Sequence, residues 1–279
     1  MKKFKEFLKE QLKDDLKEDL LELLPSGFQR VGDIIILNLK PELDSYSKKI
    51  AEIIIKHFNG IKTVCQTEGV HGRLRRPKVK VLAGNGTETV HEENGCLYKL
   101  DVAKVMFSKG NVKERGRLAK LVKKGETVVD MFAGIGYFSI PIAKTGKPKR
   151  IYAIDINPVS VHYLKENIRL NHVENIVIPI LSDCRKVRLG SIADRVIMGY
   201  LPNTHEYLPF AFQSLKKEGG IIHYHGLAPK GEAWDDIIGK LEIVGYKHGY
   251  ELKRITHKRV VKEYAPNIFH VVIDAKFKA

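Results

Sequence analysis

The run VVDMFAGIGYFSIP, residues 128–141, decides how this chain folds. An apolar strand ends on Asp130, a glycine turn follows, and a helix begins within YFSIP. Gly134 and Gly136 let the main chain turn tightly and approach a ligand closely. A dinucleotide fingerprint asks for a third Gly or Ala, so that a pyrophosphate can sit on the helix N-terminus. Ser139 fills that slot here, and Asp130 stands at the strand end ahead of the loop. A carboxylate in that place suits a cationic ligand better than a pyrophosphate.

Two further acids strengthen a weak motif. Asp155 closes the next strand, RIYAID, about 20 residues after the glycines, where an acid takes ribose hydroxyls. Asp183 closes a third strand in IVIPILSDC and can accept from an adenine amino group. Cys184, next to it, reads as a pocket-wall residue whose main chain helps to hold adenine, not as a nucleophile.

Outward from this loop, strand and helix alternate from Asn111 onward: ETVVDMFAG, RIYAID, VSVHYLKENIRLNHV, IVIPILSDC, ADRVIMGYL and GGIIHYHG. That pattern predicts a doubly wound, mostly parallel sheet. KRITHKRVVKEY and FHVVIDAKF, joined by APNI, predict an antiparallel hairpin at its edge. Parallel units finished in this way look like the class I S-adenosylmethionine-dependent transferase fold, seven-stranded and Rossmann-like. Residues 101–279 are expected to form this domain.

Residues 1–100 read as a small α+β module. Phe4, Leu8, Leu12, Leu16 and Leu20 lie at helical spacing, which predicts one helix over 1–24, stopped by Pro25-Ser26-Gly27. GDIIILNL predicts a buried strand, YSKKIAEIIIKHF a helix, and Asn94-Gly95 the turn of a hairpin.

The 279 residues are 43% hydrophobic and 29% charged, with a formal net charge of +15. This is a globular chain whose charge suits a polyanion. Basic residues cluster at 71–80, 109–124, 144–150 and 253–262, which favours nucleic acid. No apolar run is long enough for a membrane span, and the Lys- and Glu-rich start carries no export signal. Cys65, Cys96 and Cys184 are scattered, form no metal set and suit a reducing cytosol.

LDVAKVMFSKGNVKERGRLAK, VVDMFAGIGYFSIPIAK, DRVIMGY, IIHYH and KEYAPNIFHVVID together resemble the tRNA guanosine-37 modification superfamily, over about residues 30–279. The resemblance implies one of two activities. One branch methylates N1 of the guanosine. The other, the second enzyme of wybutosine synthesis, moves the 3-amino-3-carboxypropyl group of S-adenosylmethionine onto C7 of 4-demethylwyosine in tRNA(Phe). The methylating branch carries an Asn-Pro-Pro-type motif after the fourth strand, whereas this chain reads Gly199-Tyr200-Leu201-Pro202, with Thr204-His205 following. That resembles the wybutosine branch. Methylating a ring nitrogen needs a group that holds the base and takes its proton. Alkylating C7 of an electron-rich tricycle needs mainly placement.

By resemblance, the donor site comprises Ser108, Arg115, Asp130, Phe132, Ala133, Gly134, Gly136, Asp155, Ile156, Asp183 and Cys184. Ser108 and Arg115 would fix the methionine carboxylate, with a tRNA phosphate as the rival partner of Arg115 or Arg117. Tyr200 and His205 are the candidate catalytic side chains. His223 and His225 lie two apart on one strand face, and a substrate-facing or structural role is preferred to a metal site. Trp234 reads equally as packing or as a base stacker. The expected partner is the anticodon stem-loop of tRNA(Phe) bearing the tricyclic base, with the N-terminal module in contact with tRNA. The chain is expected to act as a cytoplasmic monomer without metal.

Overall fold

The computed structural model describes residues 3–72, 75–229, 231 and 233–279. The chain divides into two compact units, Met1–Glu93 with Leu97–Phe107, and Asn94–Cys96 with Ser108–Ala279.

In the first unit, α1 (Phe4–Leu12) and α2 (Glu18–Leu23) precede β1 (Gln29–Val31), β2 (Ile34–Leu37), α3 (Ser47–His57), β3 (Thr63–His71) and β4 (Arg76–Gly84). The four strands form one sheet in the order β1-β2-β3-β4. Leu8, Leu12, Leu37, Ile50, Ile54 and Val64 share its core. The single helix expected over 1–24 is two helices. The chain turns between Leu12 and Glu18, where Asp15 takes the Lys49 ammonium. Leu16 and Leu21, rather than Leu20, thereby enter the core. Spacing along one straight helix could not show this, because the break serves burial on both sides of it.

β5 (Glu88–Glu93) and β6 (Cys96–Asp101) form the hairpin expected at Asn94-Gly95. Both turn residues have positive φ, 52° and 72°, the conformation that a two-residue type I′ turn demands.

The second unit begins with α4 (Val112–Leu121), β7 (Thr127–Asp130), α5 (Ser139–Lys144), β8 (Arg150–Asp155), α6 (Pro158–Leu170) and β9 (Val177–Leu181). It continues through β10 (Arg195–Met198), α7 (Leu208–Ser214), β11 (Gly220–Pro229), α8 (Ala233–Lys247), β12 (Glu251–Ala265) and β13 (Ile268–Lys278). Its seven-stranded sheet runs β12-β13-β11-β10-β7-β8-β9. β13 pairs antiparallel with both β11 and β12, and every other pair is parallel. The strand order reverses at β7, which has β8 on one side and β10 on the other. Ligands of such sheets bind beyond the carboxyl ends of the strands at this switch point.

Local chemistry fixes the elements around that point. Asn157 caps α6 by accepting from Val159 N–H at 3.0 Å, and Pro158 occupies its first position. Buried Asn167 donates from α6 to the Ile135 carbonyl at 3.0 Å, which ties the helix to the glycine turn. Gly136 has φ +101°, and a Cβ there would meet Ile140 at 2.5 Å and Leu164 at 3.1 Å. No side chain fits at that position.

Candidate active site

Several loops carry the candidate residues of the second unit. The first is the glycine turn after β7. Asp130 is fully buried, accepting from Ser139 Oγ at 2.7 Å and from Phe132 N–H at 3.4 Å. Burial raises its carboxyl to about 7 against these two hydrogen bonds. Its side chain therefore shapes the loop from inside. Asp155 is partly buried at the end of β8, and one oxygen accepts Gly134 N–H at 2.8 Å while the other accepts Asn157 N–H at 2.8 Å. Each oxygen keeps acceptor capacity for a hydroxyl. Ala133 N–H donates to the Ile154 carbonyl at 2.8 Å, so β8 and the turn are laced together, and Ile156 beside them is exposed.

After β9, Asp183 does not stand open. Arg185 engages both its oxygens, Nη2 to Oδ2 at 2.6 Å and Nε to Oδ1 at 3.0 Å, and its N–H also donates to Oδ1 at 3.0 Å. Both Asp183 oxygens are thus paired with Arg185, whose side chain is itself half-exposed. Cys184 is buried, and that burial pushes its thiol up to about 12, which keeps it protonated and unreactive at neutral pH.

The second loop leads into α4. Ser108 Oγ accepts Gly110 N–H at 3.4 Å. Arg115 is 1% exposed, donates to the Ser108 carbonyl, and lies over the Tyr137 ring at 5.0 Å. The arginine thus bridges the Ser108 segment and the glycine turn. Tyr137 was not singled out by sequence reasoning, although it sits inside the GIGYF run.

The third loop follows β10. Tyr200 stacks on Phe132 with centroids 5.0 Å apart and planes at 21°, and Tyr207 meets both rings edge-on, at 5.7 and 5.0 Å. Thr204 Oγ1 donates to the Tyr200 carbonyl and closes the loop. His205 is exposed, on the 3-10 turn Thr204–Tyr207. Gly199 faces Phe138, whose ring would lie 2.9 Å from a Cβ at that position. The aromatic triad places flat faces where a base can stack. Tyr207 escaped the sequence reading because nothing in THEYLPF marks it apart from an ordinary core residue.

The two histidines of β11 do share a face, and both are 1% exposed. His223 Nδ1 lies 2.7 Å from Asp274 Oδ1, and His225 Nδ1 lies 2.9 Å from His270 Nε2. Among the described residues no group of three His, Cys, Asp or Glu side chains is arranged to hold a metal ion. Trp234 lies under Lys258, whose Nζ is 5.6 Å from the ring centre.

Comparison with known proteins follows the same lines. Residues 89–253 match the family described as TRM5/TYW2 methyltransferase domain, and residues 8–87 match the TYW2 N-terminal domain. The chain is 48% identical over 252 residues to the tRNA(Phe) (4-demethylwyosine(37)-C(7)) aminocarboxypropyltransferase of Methanocaldococcus jannaschii, covering 90% of this chain and 98% of that one. It is 40% identical to the tRNA (guanine(37)-N(1))-methyltransferase Trm5b of Pyrococcus abyssi, covering 90% of this chain and 74% of the relative. The structure of Pyrococcus horikoshii TYW2 in complex with MeSAdo superposes with a TM-score of 0.87 at 41% identity, over 99% of each chain. Both segments of this chain thus find their counterparts in one lineage, and the chain belongs to the TRM5/TYW2 family, on its TYW2 branch.

Proposed function

We propose that this protein transfers the 3-amino-3-carboxypropyl group of S-adenosylmethionine to C7 of 4-demethylwyosine at position 37 of tRNA(Phe), releasing 5′-methylthioadenosine. The observation that carries the reading is Gly199 at the end of β10, with the Phe138 ring against it. That place has no side-chain amide to engage and orient a guanine edge for N1-methylation. The names of the M. jannaschii and P. horikoshii relatives support the same reading, MeSAdo being the by-product of such a transfer.

The residues present fit the donor. The glycine turn brings main-chain N–H groups close to a ligand, and the free lone pairs of Asp155 suit ribose hydroxyls. S-adenosylmethionine supplies an electrophilic Cγ on a sulfonium. In the transfer the C7–Cγ bond forms, the Cγ–S bond breaks, its electron pair returns to sulfur, and C7 loses a proton. The chain's work is placement. Arg115 and Ser108 hold the methionine carboxylate so that Cγ, not the methyl, faces the base. Arg115 is only 1% exposed and lies against the glycine turn through Tyr137, which favours a small ligand seated in that turn over an RNA phosphate. Phe132, Ala133, Ile156 and the main chain at Cys184 line the donor, and Asp130 holds the turn through Ser139. Tyr200, already stacked on Phe132, is assigned the stacking of the tricycle, and exposed His205 the receipt of the C7 proton.

The partner is the anticodon stem-loop of tRNA(Phe), met by a chain of net charge +15, with the unit containing residues 8–87 as a further tRNA contact. The protein acts as a cytoplasmic monomer. No described helix is long and apolar enough to cross a membrane. Mass analysis of nucleosides from tRNA(Phe) carrying the tricycle tests the reading. It is expected to show the aminocarboxypropyl increment, and its absence, with a methyl increment when tRNA carrying plain guanosine is supplied instead, would overturn it.

A further inference from the structure

Beneath α4 a row of charged and ring side chains crosses the second unit. None of them belongs to the site described above. Glu114, with no exposed surface, accepts Arg117 Nε at 2.8 Å. Arg117 forks onto Asp274 of β13, with contacts of 2.5 and 3.1 Å. Asp274 also meets His223 Nδ1 at 2.7 Å, and His223 Nε2 lies 3.3 Å from Arg195 Nη1 of β10. Arg195 forks in turn onto Glu126, at 2.6 and 3.1 Å, just ahead of β7.

Donor and acceptor identities give the row one direction. A carboxylate only accepts and a guanidinium only donates, so His223 carries its proton on Nδ1 and offers Nε2 to Arg195. Burial pushes the Asp274 carboxyl up, but His223 and Arg117 override it and hold the group well below the usual carboxylate range. Asp274 therefore remains an anion with donors from both sides. Burying so many charges is a poor route to stability, since apolar side chains of the same volume would serve as well or better. What forked ion pairs add is geometry, because each pair is satisfied in only one placement of the helix on the sheet.

The helix so placed is α4, and α4 carries Arg115 between Glu114 and Arg117. Arg115 in turn reaches Ser108 and Tyr137. We infer that Asp274 is a positioning residue that decides which carbon of the sulfonium donor reaches the base, by fixing α4 through Arg117 and so the seat of Arg115. This rests on the transfer reaction proposed above. With Asp274 weakened, α4 shifts, the methionine carboxylate loosens, and the S-methyl carbon gains access to the base in place of Cγ.

The test uses the full chain, tRNA bearing the tricyclic base, and S-adenosylmethionine, with methylthioadenosine and S-adenosylhomocysteine quantified separately. Wild type is expected to release methylthioadenosine, and S-adenosylhomocysteine from wild type would overturn the underlying reaction together with this inference. Asp274→Asn keeps shape and one acceptor but removes the charge. Its kcat is expected to fall by about tenfold or more, since displacements of about 1 Å are costly in rate. Its KM for tRNA should hold, and its share of S-adenosylhomocysteine should rise severalfold. A folded Asp274→Asn that is slower but keeps the wild-type product ratio would overturn the inference and leave the reaction standing, because a merely structural residue changes amount and not ratio. If Asp274→Asn melts below the assay temperature, Arg117→Lys decides. It keeps the charge and loses the fork, and its product ratio must shift in the same sense for the inference to survive.

Discussion

The guanidinium of Arg115 donates to the main-chain carbonyl of Ser108 while its face lies 5.0 Å from the centre of the Tyr137 ring. One buried side chain thus joins the segment before α4 to the turn after β7. Arg115→Lys keeps the charge but cannot fork and stack together. A positioning error of about 1 Å can cost about 100-fold in rate, so kcat is expected to drop by one to two orders of magnitude. Steady-state assays at saturating donor check this, and a kcat within twofold of wild type would refute the bridging role.

Asp155 receives two main-chain N–H groups and has lone pairs left for a ribose. Asp155→Ala removes charge-assisted hydrogen bonds and is expected to weaken S-adenosylmethionine binding by roughly 1.5–3 kcal/mol. Calorimetry with the folded variant measures it. Unchanged affinity would place the donor elsewhere.

Asp130 gives a pH signature. Its folded carboxyl is raised to about 7 by burial, against 3.8 as the ordinary value. Between those values the native chain holds a proton that the unfolded chain releases. The stability it contributes is fully present below about pH 4 and is lost as pH rises to about 7. Asp130→Asn does not titrate, so its stability relative to wild type should improve on going from about pH 4 to about pH 8, by on the order of a few kcal/mol. Urea melts at the two pH values decide the matter. A constant difference would contradict the buried, protonated carboxyl.

What the sequence disclosed depended on how local the signal was. Gly136 and the Asn94-Gly95 turn were legible because positive φ selects glycine and asparagine without reference to the rest of the chain. The strand ends at Asp130 and Asp155 were legible from apolar runs closed by an acid, while β9 ends at Leu181, two residues short of the expected Asp183. The partners of those acids were not. Asp183 pairs with its near neighbour Arg185 and Asp130 accepts from Ser139, contacts that an acid after an apolar run does not announce. The break after α1 was hidden because Leu16 keeps the helical stripe in register while the chain turns to bury Leu21. The Arg117–Asp274 fork joins residues 157 apart, and no spacing rule reaches that far. It gives His223 a partner within the protein, where sequence alone left the histidine between substrate and core.

Net charge of +15 predicts tRNA binding that weakens steeply with salt. Each phosphate neutralised contributes a slope of about −0.7 to −0.9 in log K against log salt. Titrations of tRNA(Phe) from low to moderate salt are expected to give a slope of several units, while donor binding stays nearly flat. A flat tRNA isotherm series would remove electrostatics as the basis of recognition.

The most direct measurement follows the carbon that moves. S-adenosylmethionine labelled in the methionine α-carboxylate and, separately, in the S-methyl group is supplied with tRNA(Phe) bearing 4-demethylwyosine. The carboxylate label is expected to appear in tRNA and the methyl label is not, with methylthioadenosine as the nucleoside released. Methyl label in that tRNA, or in a parallel sample carrying plain guanosine, with S-adenosylhomocysteine released, would contradict a site built around Gly199, Ser108 and Arg115 for aminocarboxypropyl transfer.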